Sequence, residues 1–151
     1  MRKEDASEMI LRRMCQEDLE QVAAIEKKIF SEPWSREGFA ASLRSPDTMY
    51  FVALQGEVIV GYCGLLRSFE EADITNVAVD VPCRRQGVAR KMLEKLLEEG
   101  KAKGIERFTL EVRIGNQVAI RLYESLGFER VGVRKGFYVK PAEDALIMWT
   151  R

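Results

Sequence analysis

The order of patterns along the chain predicts a mixed α/β or α+β fold, one sheet with helices on its faces. Two observations carry that expectation. After two short helical segments, β-rich apolar runs follow one another through turn signals, as antiparallel strands do. The remainder then alternates strand, helix, strand, helix and strand, with each helix marked by one apolar face.

Residues 9–14 alternate weakly and predict a first strand. Over residues 18–30, Leu19, Val22, Ala23, Ile25, Ile29 and Phe30 fall on one face of a helix. Pro33-Trp34-Ser35 breaks that helix, and Ser35 offers an N-cap for a second one through Leu43. Ser45-Pro46-Asp47 is a turn. Strands over 49–54 and 58–66 meet around Gln55-Gly56-Glu57 as a hairpin, and 73–80 adds another strand. Residues 87–103 form the clearest helix, with Val88, Met92, Leu93, Leu96 and Leu97 on one face and Gly104 at the C′ position. A strand over 107–113, a helix over 117–126 stopped by Gly127, and strands over 128–133 and 145–149 complete the chain.

Composition narrows the class. A chain of 151 residues fits one domain, expected over 1–151 with residues 1–8 a flexible N-terminus. With 46% hydrophobic and 32% charged residues it reads as an ordinary soluble protein. Lys+Arg and Asp+Glu number 24 each, so no charge excess argues for nucleic acid as a partner. No apolar run is long enough for a bilayer, and the N-terminal residues are too polar for a signal-peptide core. Cys15, Cys63 and Cys83 lack CxxC spacing, which suits a reducing compartment. A cytoplasmic monomer or weak homodimer without membrane contact is the expectation. The chain has no histidine at all. Ser–His and Cys–His nucleophile pairs are thereby removed, and no metal is expected. A general base must be a carboxylate, Tyr, Lys, Cys or a relayed water.

Two constellations carry chemistry. The strand ending at Val77-Ala78-Val79-Asp80 runs into Arg84-Arg85-Gln86-Gly87-Val88-Ala89, which opens a helix. Free backbone N–H groups, the positive end of a helix dipole and arginines converge there, a combination suited to a pyrophosphate. The stretch lacks both the Lys-Ser/Thr of a nucleoside-triphosphate loop and the three-glycine dinucleotide fingerprint, and an ordinary helix start with surface arginines fits it too. The second constellation is Leu110-Glu111-Val112-Arg113, then Asn116 and Leu122-Tyr123-Glu124-Ser125-Leu126-Gly127-Phe128. Thr109, Glu111 and Arg113 share one strand face. On position alone Glu111 reads as a solvated charge paired to Arg113 or Arg107, and Tyr123 as a core aromatic with its hydroxyl at the rim.

These stretches resemble the GCN5-related N-acetyltransferase family, over residues 10–149 or so. Arg84 to Ala89 is similar to its acetyl-coenzyme A pyrophosphate loop, and Asn116 with residues 122–128 to its later cofactor segment. Pro33-Trp34-Ser35, Leu110-Glu111-Val112-Arg113 and Glu143-Asp144-Ala145 resemble the branch that acetylates the N-terminal alanine of a small-subunit ribosomal protein. The resemblance implies a mixed, mostly antiparallel sheet of six to seven strands flanked by about four helices. It implies acetyl-coenzyme A as co-substrate, with Val77, Ala78 and Val79 along its acetyl-pantetheine arm. Arg85, Gln86, Gly87, Val88, Ala89 and Arg90 would surround its pyrophosphate, and Asn116 would touch it. Glu111 would be general base, Tyr123 general acid and the Val79 N–H the oxyanion donor. A lysine side chain, polyamine or small amine as acceptor, or a non-catalytic cofactor-binding domain, are the alternative readings. Gly115, Ile114 and Phe137-Tyr138 depart from the family pattern: Gly115 stands where many relatives have Ser, Ile114 where a small residue is common, and Phe137-Tyr138 where two tyrosines are frequent. Trp34 and Tyr138 are candidates for the acceptor groove, with a core role for Trp34 equally compatible.

Overall fold

The computed structural model describes residues 9–150. Its elements in chain order are β1 (Ile10–Arg13), α1 (Leu19–Ile29), α2 (Arg36–Arg44), β2 (Thr48–Gln55), β3 (Val58–Ser68), β4 (Glu71–Val79), α3 (Val88–Ala102), β5 (Arg107–Arg113), α4 (Gln117–Ser125), β6 (Glu129–Val139) and β7 (Ala142–Thr150). The strands form one seven-stranded sheet in the order β1-β2-β3-β4-β5-β7-β6. Neighbours are antiparallel except β4 and β5, which run parallel. The flexible segment expected over residues 1–8 lies outside the described residues.

The sheet is covered on both faces because its strands alternate apolar side chains to each side. Tyr50, Val52, Leu54, Ile59 and Tyr62 face α1 and α2. Phe51, Ala53, Phe108, Leu110, Val112 and Met148 face α3 and α4. Helices α1 and α2 lie over β2, β3 and β4. On that side Glu111 and the whole of β6 except Tyr138 are exposed, and Thr109, Ile147 and Trp149 only half-buried.

Local signals account for the helix ends. Ser35 caps α2 by accepting the Gly38 N–H at 3.0 Å. Gly104 and Gly127, past the ends of α3 and α4, adopt φ of 93° and 97°. Where α1 begins, Asp18 is buried and takes two 2.8 Å bonds from Arg12, which hold its carboxyl below the usual range. Glu26, also buried, accepts the Tyr62 hydroxyl at 2.5 Å and the Trp34 N–H at 3.1 Å. The second bond fixes the chain between α1 and α2.

Several strand bounds differ from expectation: β3 runs on to Ser68, β7 begins at Ala142 rather than 145, and two further differences have clear causes. β4 starts at Glu71, two residues earlier than the apolar pattern suggests, because Phe69 takes a φ of 57° and closes a tight hairpin from β3. β6 continues to Val139 where residues 128–133 were expected. Arg134-Lys135-Gly136 interrupts its pattern, and an edge strand exposed along its length needs no apolar alternation.

The feature that positions the site is a parting of β4 from β5. They pair only over Glu71–Asp73 with Arg107–Thr109, and then diverge. The parting begins at a β-bulge, where Gly64 and Leu65 of β3 face Asn76 and Ile74, leaving Thr75 extra. A bulge bends its strand and increases twist, which here turns β4 away from β5. Gly64 permits it by close approach: a Cβ there would lie 1.9 Å from the Tyr50 ring. Tyr50 in turn contacts Ser42 Oγ at 2.9 Å and Asn76 Oδ1 at 3.4 Å, anchoring the bulge to α2.

Candidate active site

Beyond Asp73 the β5-facing edge of β4 has no strand partner. The Asp80 N–H donates to Val60 C=O at 2.8 Å, so Asp80 and Ala78 turn their peptide groups toward β3. Val77 and Val79 alternate with them and direct theirs into the gap. Of the three residues expected to line the donor, Val77 presents free backbone groups and Val79 a free N–H, while Ala78 contributes a buried side chain on the α1/α2 face. The Val79 C=O accepts Arg84 Nε at 3.1 Å, which leaves its N–H open to the gap.

The loop from β4 to α3 is shaped for an anion. Arg85 and Gly87 adopt φ of 65° and 77°, and Gly87 is the left-handed N-cap of α3 without a side-chain cap. A left-handed conformation at the non-glycine Arg85 costs about 1–2 kcal/mol, strain of the kind that clusters at ligand clamps. Nothing lies within 4 Å of where a Gly87 Cβ would be, so the hollow there is open. The first α3 amide to find a helical partner is Lys91, at 3.1 Å from Gly87 C=O. The N–H groups of Val88, Ala89 and Arg90 remain for a ligand. Nearby ion pairs join Lys28 to Asp80 and Arg90 to Glu94, leaving Arg84 and Arg85 without a carboxylate partner among the described residues. Gln86 is exposed and accepts Gln55 Nε2 at 3.3 Å, and Arg90 also donates to Ser125 Oγ. Three free amides, a helix dipole and unpaired arginines fit a pyrophosphate.

Glu111 and Tyr123 flank the gap from opposite faces of the sheet. Tyr123 projects from α4 into the core on the α3 side, 5.9 Å from the Phe128 ring. Burial pushes its phenol up to about 12, so it stays protonated across the neutral range. Among the described residues its hydroxyl makes no hydrogen bond, yet no fully buried side-chain N or O there lacks a partner. The hydroxyl therefore reaches an accessible edge. Glu111 points to the other face, and its ion-pair partner is neither Arg113 nor Arg107. Arg134 of β6 holds it, Nη2 to Oε2 at 3.1 Å. Arg107 pairs instead with Glu71, and Arg113 with Glu143 at 3.1 Å.

Around them stands a clamp that sequence reasoning did not assign. Glu143 of β7 accepts both Arg113 and the Gly115 N–H, the latter at 2.7 Å. Arg113 also donates to the carbonyls of Lys140 and Pro141 and lies 4.3 Å over the Tyr138 ring. A side chain at Gly115 would press on Glu143, its Cβ 2.9 Å from Oε2, which gives the absence of a Ser there a physical basis. Asn116 caps α4, its Oδ1 accepting the Ala119 N–H at 3.2 Å, so only its amide N–H groups are free for a ligand. Tyr138 is half-buried, its phenol raised by burial and then by the charge of Glu111. Ser31 Oγ reaches the Lys140 carbonyl and ties the α1–α2 connection to the β6–β7 turn. Trp34 sits on that connection, packed 5.2 Å from Phe39 and still 38% exposed, so it is neither pure core nor free. Sequence signals for the clamp were the motifs holding Arg113 and Glu143 and the departures at Gly115 and Tyr138, none of which shows that they meet. Arg134 gave none, because its partner depends on β7 lying between β5 and β6.

No thiol is primed to act as a nucleophile. Burial pushes Cys63 up to about 12 and raises Cys83, and a hydrogen bond with Glu17 raises Cys15. The residues on each side of the gap are suited to proton transfer, and the free amides at its mouth are suited to a phosphate.

The model of the acetyltransferase (GNAT) family matches residues 19–128. The ribosomal protein bS18-alanine N-acetyltransferase of Escherichia coli (strain K12) is 35% identical over 133 residues, spanning 87% of this chain and 89% of that protein. The N-alpha-acetyltransferase RimI of Mycobacterium tuberculosis is 33% identical over 137 residues, or 87% of this chain and 85% of its own. The crystal structure of the ribosomal-protein-S18-alanine N-acetyltransferase from Escherichia coli superposes with a TM-score of 0.87 at 33% identity, covering 94% of this chain and 92% of that one.

Proposed function

The chain belongs to the acetyltransferase (GNAT) family, and we propose that it acetylates the α-amino group of a protein N-terminus. It is an acetyl-coenzyme A-dependent N-acetyltransferase. The acceptor in this reading is the N-terminal alanine of a small-subunit ribosomal protein, the RimI-type reaction, carried out in the cytoplasm by a single domain. Among the described residues no helix is long and apolar enough to cross a membrane. The observation that carries the reading is the placing of Glu111 and Tyr123 on opposite faces of one gap, with the phosphate loop at its mouth. The names of the relatives support the acceptor.

Acetyl-coenzyme A supplies an acyl group already activated as a thioester. The loop of Arg85, Gln86, Gly87, Val88, Ala89 and Arg90 would hold its pyrophosphate through backbone N–H groups and guanidinium charge. Val77 and Val79 would receive the pantetheine arm as an added strand edge, with Asn116 at its flank. An α-amino group has a pKa of about 7.7–8.0 and is mostly protonated at neutral pH. Glu111, on the acceptor face, takes that proton directly or through water and frees the lone pair. The Val79 N–H stabilises charge developing on the carbonyl oxygen. Tyr123, protonated and on the donor face, gives its proton to the departing thiolate. Base and acid act from opposite faces, so both substrates are present together and no covalent enzyme intermediate is needed.

The test offers peptides beginning Ala, Ser, Gly and Met, and one with an internal lysine, together with acetyl-coenzyme A. Thiol release is followed and the acetyl located by mass spectrometry. Acetylation of the α-amine, with turnover lowered at least tenfold in Glu111→Gln, is the expected result. Acetyl on lysine alone, or on small amines alone, would overturn the acceptor assignment. No acceptor-dependent thiol release would leave a binding domain.

A further inference from the structure

We propose that Arg134 is a displaceable counter-ion, holding the Glu111 carboxylate until the acceptor's ammonium takes its place. The proposal rests on the reading that the acceptor amine meets Glu111. Arg134 reaches Glu111 from two strands away, across β7. Register explains how. Glu111 lies opposite Ile147, and Ile147 opposite Gly132, so no β6 side chain stands in line with the carboxylate. The arm of Arg134, two residues on, passes diagonally through that space.

The charged groups around Glu111 have other commitments. Arg113 on β5 is held by Glu143 and the two carbonyls of the β6–β7 turn. Asp144 on β7 accepts the Gly136 N–H, and Tyr138 on β6 lies under Arg113. Arg134 has no such second anchor. Its one polar partner among the described residues is Glu111, its guanidinium lies 5.3 Å from the Phe137 ring, and 57% of its side chain is exposed. It is a cation held loosely at the oxygen that a protonated amine would seek. Both are N–H donors with one positive charge, and both approach from the same open face. Binding of the acceptor is then an exchange of one cation for another.

An exposed ion pair of this kind sets the scale of the competition at roughly 1.5- to 5-fold in affinity. The experiment measures acceptor KM and kcat, with peptide Kd by calorimetry, for Arg134→Gln, Arg134→Lys, Glu111→Gln and the Arg134→Gln/Glu111→Gln pair. Arg134→Gln should lower acceptor KM and Kd about 2- to 5-fold and leave the acetyl-coenzyme A KM unchanged. Damage to the fold would not tighten binding. Arg134→Lys should restore wild-type values, and Arg134→Gln should have no effect on peptide Kd where Glu111 is already Gln. The two readings fail separately. Undiminished turnover in Glu111→Gln overturns the base assignment, whereas an unchanged or raised acceptor KM and Kd in Arg134→Gln overturns the counter-ion.

Discussion

Replacing Gly64 by Ala should cost the protein stability and cofactor affinity together. The added Cβ would lie 1.9 Å and 2.0 Å from two Tyr50 ring carbons, where ordinary carbon contacts are about 3.5–4.0 Å. The ring must therefore move by well over an ångström, yet Tyr50 is 2% exposed and wedged between α2 and the sheet. Overpacking of this sort costs about 1–3 kcal/mol. Displacing the hydroxyl from Ser42 adds about 1 kcal/mol. A total near 3 kcal/mol corresponds to a Tm drop of roughly 6–12 °C for a domain of this size. Because Gly64 faces the bulge at Thr75, the same strain bears on the place where β4 leaves β5. Urea denaturation gives the stability change, and calorimetric titration with coenzyme A gives the affinity. Combining Gly64→Ala with Tyr50→Ala supplies the control, since the small residue leaves room for the methyl and the two losses should be less than additive. A Gly64→Ala variant within 0.5 kcal/mol of wild type, or strictly additive losses, would refute the close-approach account.

Other expectations follow from the site. Arg85→Ala, which removes a guanidinium from an exposed and strained position, should weaken coenzyme A binding by about 3- to 30-fold; pantetheine and 4′-phosphopantetheine, which lack the pyrophosphate, should not register the change. Tyr123→Phe should slow turnover with acetyl-coenzyme A affinity nearly intact. It should also alter alkaline stability. A phenol raised to about 12 in the folded state contributes stability that is fully present below about pH 10. That contribution is lost as pH rises from there toward the folded value, at about 1.4 kcal/mol per unit in full. Wild type should lose stability relative to Tyr123→Phe between pH 10 and 12, and a constant difference across that range would count against desolvation of the phenol in the folded state. Gly115→Ser should swing the Glu143 carboxylate aside and cost no more than about 1.5 kcal/mol, because the obstructing atom ends a flexible side chain; a crystal structure with Glu143 unmoved would contradict this.

Much of the fold was legible because its helices have strong one-sided apolar faces and clear caps, as Ser35, Gly104 and Gly127 illustrate. The position and shape of the β4–α3 loop were legible for a related reason: strand, arginines, glycine and helix follow one another directly in sequence. What could not be read depends on residues distant in the chain. The bulge at Thr75 leaves no mark on local periodicity, since it arises from Gly64 accommodating the ring of Tyr50. The last six residues of β6 were obscured by Arg134-Lys135-Gly136, whose charges suit an exposed edge. The partner of Glu111 was misassigned to near neighbours on its own strand because the insertion of β7 between β5 and β6 cannot be inferred from pattern alone. Asp18 and Glu26 are buried carboxylates on an amphipathic helix, and only their partners Arg12 and Tyr62 explain their places.

The divergence of β4 from β5 also has a kinetic meaning. In the proposed mechanism donor and acceptor would arrive from opposite sides of the sheet and meet through a slot, so neither would have to pass the other on the way in or out. Such traffic permits either substrate to bind first and either product to leave first. Initial-rate plots at several fixed concentrations of each substrate should intersect rather than run parallel. Coenzyme A should compete with acetyl-coenzyme A but not with the peptide. A long acceptor, such as a nascent or assembled protein, could present its first residue while its bulk stays on the far side from the nucleotide.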